Sequence, residues 1–416
     1  MNLEQNKNKI MPENKWSRRD FLKLTGAAAC AAVMPACAHR METTEAEFTV
    51  MPVANDWTPH VAGAWIPKGE HADAYDVFKK TIEASTDFSW LSKSDSVLIK
   101  LSLNSGNPYP ATSDPWALAF MIRLLREKGA GRIMAGDSSG VESVLWTKKD
   151  QKGSSRECCK QAGLFDVIEQ NRVEAVFFEE QGYDAFMPVS PAGLHHWKEP
   201  LWVTSTINET DHIIYLARVS SHVLGDITSG MKIGVGFLRE DSRKAFHQGG
   251  DSFYAMYEEI NQIPAISSKL RLVVSSGRNV LATFGPDKGH VTAPDLGLII
   301  SSEDLFAHEI LAYAWLLYNR EFETDFFDVG ITGRLTKRRS FINKGFVWVT
   351  WEDSDFNQTP AIPLFIPGNI YAHPSMMNFM KRKGGRPANI DWEQVNAPAG
   401  CEKMADYING KIATTS

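Results

Sequence analysis

The chain has 416 residues, of which 43% are hydrophobic and 23% charged, an ordinary globular composition with enough length for a large core. Its formal net charge is −6, and residues 1–38 hold six basic groups against three acidic ones, so the remainder lies near −9. A chain this acidic repels phosphate backbones, which argues against nucleic acid as a partner.

Residues 1–38 read as a twin-arginine export signal: Ser17-Arg18-Arg19-Asp20-Phe21-Leu22-Lys23 precedes a modest apolar run from Leu24 to Ala36. That run is too short to span a bilayer as a stable helix, and no other window reaches eighteen apolar residues. The expected address is extracytoplasmic, reached through the twin-arginine export machinery, which carries folded cargo. Ala36-Cys37-Ala38 suits a small-residue peptidase cutting after Ala38, whereas Cys37 is the candidate for a lipid anchor. Of five cysteines, Cys30 and Cys37 fall in this segment; Cys158, Cys159 and Cys401 form no disulfide framework. With no C-x-x-C run, an intrinsic iron-sulfur cluster is not expected.

Residues 39–94 read as a tether followed by a helix over 71–89, with Ala74, Val77, Phe78 and Ile82 on one side. The segment 95–320 reads as an α/β core. Ser96 to Leu103 is of strand length and ends in the turn cluster 104–108. The next helix carries Leu118, Met121, Ile122 and Leu125 at helical spacing, with Thr112 or Ser113 as its cap and Pro115 in its first turn. Further strands are expected at 132–135, 173–178, 213–217, 270–274 and 298–301, with helices at 253–266 and 303–318. Strand–helix alternation predicts a largely parallel open sheet with helices on both faces. Residues 321–416 read as a C-terminal extension packed on that core.

In such sheets ligands bind beyond the C-terminal ends of strands. Four ends carry polar groups: Lys100 and Asn104; Asp137, Ser138 and Ser139; Arg218 and His222; Ser275 and Ser276. Downstream of His222 come Lys232, Arg239, Arg243 and His247, two guanidiniums and an amine between two imidazoles. That constellation suits a small anion, with Lys100, Asn104, Asp137, Ser138, Arg218, Arg239 and Arg243 binding it and His222, Lys232 and His247 doing chemistry. Gly136-Asp137-Ser138-Ser139-Gly140 formally matches the nucleophile elbow, but no oxyanion-hole HGGG follows an earlier strand and no clear helix follows Gly140. It reads instead as a turn that caps or binds an anion. His195-His196 point oppositely on an extended segment and read as a surface pair, and Asp304 with His308, one helical turn apart, more often hydrogen-bond than chelate.

The elements VLIKLSLNSG, SDPWALAFMIRLLREKGAGRIMAGDSSG, ARVSSHVLGDITSGMKIGVG with His247, GPDKG and IISSEDLFAHEILA resemble the domain-of-unknown-function family 362 over about residues 95–318. Lys100, Asn104, Asp137, His222, Thr228, Lys232, His247 and Asp304 fit its pattern, whereas Arg218, Ile233, Ser276 and Glu309 depart from it. More remotely, His222, Lys232 and His247 resemble in order and spacing a trio of the nickel-pincer lactate racemases. That resemblance implies a nucleotide tethered on Lys232, a metal on His247 and an acid/base role for His222. That family's second acid/base histidine is replaced here by Ser138 and Ser139. The expectation is an exported enzyme acting on a small, hydroxy-acid-like anion, the alternative a non-catalytic small-anion-binding protein with the same crevice. Replacing Arg18 and Arg19 together by lysine is expected to retain the precursor in the cytoplasm; fractionation showing unchanged export would mean the pair is not an export signal.

Overall fold

The computed structural model describes residues 46–69, 72–283, 285–323 and 369–413. The export signal, Cys37, the basic stretch 334–346 and most of the proline-rich stretch 360–374 lie outside them. Among the described residues no helix is long and apolar enough to cross a membrane.

In chain order the elements that position the site are β1 (His60–Pro67), α1 (Ala74–Ser85), β2 (Ser96–Leu101), α2 (Pro115–Glu127), β3 (Arg132–Asp137), β4 (Glu174–Phe177), β5 (His212–His222) and β6 (Asp226–Thr228). There follow α3 (Gly230–Ile233), α4 (Glu240–His247), α5 (Phe253–Ile260), β7 (Leu270–Leu281), β8 (Leu296–Ser302), α6 (Leu305–Phe322), α7 (Pro374–Arg382), β9 (Asp391–Gln394) and α8 (Glu402–Ile412). The main sheet runs β9-β1-β8-β7-β5-β2-β3-β4, with β6 folded back on β5. From β4 through to β7 neighbours are parallel; β8 is antiparallel to both β7 and β1, and β9 is parallel to β1.

β2 and β5 are buried at every position, which explains their near-continuous apolar runs: helices cover both faces, so alternation disappears. One face packs α1 and α2 through Phe78, Ile82, Leu118, Met121 and Leu125; the other packs α5 and α6 through Tyr257, Ile260, Ile310 and Trp315. α6 is buried on nearly all sides, as its all-round apolar sequence requires.

The chain leaves β2 towards β3 and β4 at one edge, then returns to β5 on the other side of β2 and continues to β7. The strand order therefore reverses between β2 and β5. At such a switch point the loops diverge and leave a crevice beyond the strand C-termini.

Several elements differ from the sequence expectation. The helix expected over 253–266 ends at Ile260, and a separate helical turn spans Pro264–Ser267. The fifth expected strand runs on to Leu281 past a register shift beside Arg218 and Ser220. Residues 60–67, assigned no strand, enter the main sheet, and residues 391–394 pair with them from beyond the core. The N-cap of α2 is Asp114, whose Oδ1 accepts from the Trp116 amide at 3.0 Å. Thr112 and Ser113 serve elsewhere: the Ser113 hydroxyl donates to the Leu216 carbonyl at 2.6 Å, tying the start of α2 to β5. Asp114 also accepts from Ser276 Oγ at 2.7 Å and pairs with Arg278 at 2.9 Å, while only 2% exposed. Asp114→Ala removes the cap and strands Arg278 and Ser276 together, so a loss of about 3 kcal/mol is expected in urea unfolding.

Candidate functional site

β2 borders the switch point and ends side by side with β3, with Lys100 opposite Gly136 in register. Lys100 is fully buried, and its ammonium donates to Asp137 Oδ1 at 2.6 Å, the Leu101 carbonyl at 3.0 Å and the Ile233 carbonyl at 3.1 Å. All three of its hydrogens are thereby committed. Asp137 is committed too, with Oδ1 also accepting from the Ser138 amide at 2.7 Å and Oδ2 from the Leu103 amide at 2.9 Å. Gly236 roofs the pair: a Cβ there would collide with Asp137 Oδ1 and Lys100 Nζ. Lys100 and Asp137, expected to bind substrate, are therefore the frame on which the site is built.

β5 outlasts its neighbours and ends in Arg218, Ser220, Ser221 and His222. Arg218, 1% exposed, donates from Nη1 to the carbonyls of Pro110 (3.2 Å) and Pro286 (2.9 Å), while its Nε has no partner. His222 Nδ1 accepts from the amides of Leu224 at 3.0 Å and Gly225 at 3.1 Å. An imidazole nitrogen that accepts carries no proton, so in the neutral ring the hydrogen sits on Nε2.

The β5–β6 hairpin then delivers α3, whose Lys232 folds back over Gly225. A Cβ at Gly225 would lie 3.2 Å from both Cδ and Cε of Lys232 and 3.6 Å from His222 Cγ, so the amine's stem and the imidazole meet over one glycine. The Lys232 amine has no hydrogen-bond or ion-pair partner among the described residues. Although part of its side chain reaches solvent, dense surroundings lower its pKa to about 7, through desolvation first and then the charges of Arg218 and Arg243.

α4 supplies the remaining groups. Arg243, 2% exposed, donates to the carbonyls of Leu238 (2.9 Å), Ser138 (3.0 Å), Gly236 (3.0 Å) and Ser139. It staples α4 to the turn after β3. His247 Nδ1 lies 2.8 Å from the Arg243 carbonyl, which can only accept, so Nδ1 holds the hydrogen and Nε2 the lone pair. Burial lowers the His247 pKa to about 3, keeping the ring neutral across ordinary pH. The two histidines thus carry opposite tautomers, one a donor and the other an acceptor at Nε2.

Some expected members stand elsewhere. Arg239 grips Asp241 through Nε (3.0 Å) and Nη2 (2.6 Å) and stacks on Trp202 and Tyr183, so its guanidinium is engaged away from the crevice. Asn104 acts indirectly, donating to Asp287 Oδ1 at 2.8 Å. Ser138 Oγ is buried without a partner beside Asp137. Ser276 belongs to the Asp114 cluster. His196 anchors its loop on buried Glu259 at 2.7 Å. Asp304 caps α6 and accepts from Trp57, while both nitrogens of His308 are buried without partners, so the two do not chelate.

Asp287 was not among the expected site residues. It reaches the crevice because Gly285 packs against the Ser221 carbonyl, Pro286 offers its carbonyl to Arg218, and Asn104 holds the carboxylate. The only sequence signal for it was the GPDKG turn. Glu309 also matters: its Oε2 accepts from the Met231 amide at 2.9 Å, holding the turn that carries Lys232, and burial raises its pKa to about 7.

A tethered cofactor would find two suitable groups here, an unpartnered amine on Lys232 and a lone-paired nitrogen on His247, oriented through its other nitrogen as metal-ligating imidazoles are. Among the described residues no three His, Cys, Asp or Glu side chains converge as a metal site, so a metal would have to arrive with most of its own ligands. An open groove of about 690 Å³ lined by Glu83, Asp87, Trp90, Arg271 and Glu303 lies at the opposite, N-terminal end of the parallel strands and touches none of these groups.

The family model described as "Domain of unknown function (DUF362)" matches residues 97–314, which contain every member of the cluster. No curated protein matches the chain. Two solved structures are similar to part of it. A structural-genomics crystal structure of a Thermotoga maritima protein shares 16% identity over 59% of each chain, with a TM-score of 0.38. A lactate racemase apoprotein from Thermoanaerobacterium thermosaccharolyticum shares 12% identity over 55% of this chain and 51% of that one, with a TM-score of 0.36. The chain thus spans little more than half of those structures, and a likeness this slight says nothing about its reaction.

The frame is open to a direct test. Lys100→Met leaves Asp137 buried without its counter-charge, and a loss of about 3–5 kcal/mol is expected in denaturant unfolding. A cost below about 1 kcal/mol would mean that the pair does not hold the strand ends together.

Proposed function

The chain belongs to the DUF362 family, and from the crevice within that family core we infer an enzyme acting on a small carboxylate of the hydroxy-acid or oxo-acid kind. One observation carries this reading. Arg218 and Arg243 are buried and Lys232 half-buried in one region, and among the described residues no carboxylate is ion-paired to any of them. Buried charge without a counter-charge is costly, and an anionic ligand supplies the missing partner.

The roles follow from the donors and acceptors that each group carries. Arg218 has an unpartnered Nε–H for a carboxylate oxygen. Lys232 supplies positive charge when protonated and a nucleophile when not, and it exchanges between the two near pH 7. His222 presents Nε2–H to a substrate oxygen, whereas His247 presents a lone pair to a substrate hydroxyl. A donor on one imidazole and an acceptor on the other match the needs of a hydroxyl-bearing or carbonyl-bearing carbon. His222 so held is a hydrogen-bond donor rather than the base suggested by the racemase resemblance. A cofactor carried on Lys232 would supply its own electrophilic chemistry and consume the same amine, so intact mass separates the two uses. The twin arginines Arg18-Arg19 support action outside the cytoplasm.

The test is a melting curve with lactate, acetate and pyruvate across pH. A ligand at a hundredfold excess over its dissociation constant is expected to stabilise the wild type by about 2.7 kcal/mol. For lactate and acetate the effect should shrink as pH rises through about 7, because the amine loses the charge that holds the anion. Equal stabilisation of wild type and Lys232→Ala at every pH would sink the reading.

A further inference from the structure

Building on that carboxylate site, we propose that Lys232 is a covalent nucleophile that condenses with the ketone or aldehyde carbon of a small 2-oxo acid to form a Schiff base. The placement of the amine argues for this more than for an electrostatic role alone. A lysine that only balances charge is normally found with its ammonium ringed by acceptors, as Lys100 is a few residues away in space, with three acceptors within 3.1 Å. The Lys232 stem is instead held against Gly225 and beside His222, while its Nζ is offered no acceptor by any described residue. A stem fixed by packing and a head left unsatisfied describe a group waiting for a partner that the protein does not supply.

The neighbours suit the reaction. Attack by the Nζ lone pair on the carbonyl carbon pushes the C=O electron pair onto oxygen, where a hydrogen-bond donor is needed; His222 Nε2–H is one, with its tautomer fixed by the amides of Leu224 and Gly225. A carbon–nitrogen double bond then forms as the oxygen departs with the two hydrogens of the neutral amine as water. His247, with its lone pair on Nε2 and close enough to feel the Lys232 charge, passes protons between nitrogen and oxygen in this scheme. The substrate carboxylate lies against Arg218. Desolvation and the two guanidiniums keep a large share of the amine unprotonated at neutral pH, the means by which lysines become nucleophilic. No oxidant, metal or co-reactant enters the balance.

The experiment uses the full chain with sodium cyanoborohydride and pyruvate, or glyoxylate as a smaller aldehyde, followed by intact mass and peptide mapping. One reduced adduct is expected on Lys232, with a labelling rate that rises through pH about 7 rather than near 10.5, the value of an ordinary lysine. Lactate, which has no carbonyl to trap, should slow the labelling. Lys232→Arg, which keeps charge and bulk, should retain its melting temperature and lose the adduct. Labelling of many lysines at equal rates would overturn the proposal, as would a mass showing that Lys232 already carries another group in the purified protein. If lactate stabilises the protein while no adduct is trapped, the covalent step falls and the anion-binding reading survives; if lactate neither stabilises nor competes, the crevice reading falls as well.

Discussion

The buried pair between Lys100 and Asp137 is the interaction on which the site depends. It joins β2 to β3 beside the point where the strand order reverses, and the Lys100 ammonium also reaches the Ile233 carbonyl next to Lys232. Neither ion can be taken out of water cheaply, and the arrangement holds because almost every lone pair and hydrogen is met. Gly236 then packs on the pair so closely that no other residue fits. A single ion pair in this way fixes the ends of two strands and the turn that carries Lys232.

Around this neutralised frame the remaining charges are arranged without such balance. Arg243 spends most of its hydrogens on backbone carbonyls and Arg218 spends those of Nη1 there, which satisfies hydrogen bonding without cancelling charge. Their effect is felt at Lys232, whose burial and positive neighbours act in the same direction. Asp287 and Asp137 temper that field but do not touch the amine. The same region thus contains one lysine ringed by three acceptors and another offered none by the described residues.

The sheet was legible because its strands are long apolar runs bounded by turn clusters, and Lys232 folds back beside His222 over Gly225. Hydrogen-bond commitment was not legible. Arg239 and Arg243 look alike in sequence, yet one is sandwiched between rings beside Asp241 and the other staples two loops. Asp287 entered through a loop some sixty residues beyond His222, joined to it only by tertiary contacts of Gly285 and Pro286. Strand 60–67 escaped notice because its glycine and proline weaken the local pattern, while its pairing partners lie far along the chain. The cap Asp114 was passed over for its hydroxyl neighbours, since sequence cannot tell which of three adjacent polar residues turns back to the helix.

The edge of the sheet has a consequence for how this chain is made. β1 pairs on one side with β8 and on the other with β9, so His60 finds Asp391 across 331 residues. Until the last tenth of the chain has left the ribosome, β1 has one open flank, and the sheet ends in unpaired amides and carbonyls of the kind that recruit foreign strands. Closing a loop of that span is entropically slow to initiate, even though the added length costs little at equilibrium. The nascent protein therefore passes through a late stage that favours chaperone cover, until residues 391–394 are in place. Any process that pulled the finished chain apart would have to rebuild this sheet from the strand that is made last.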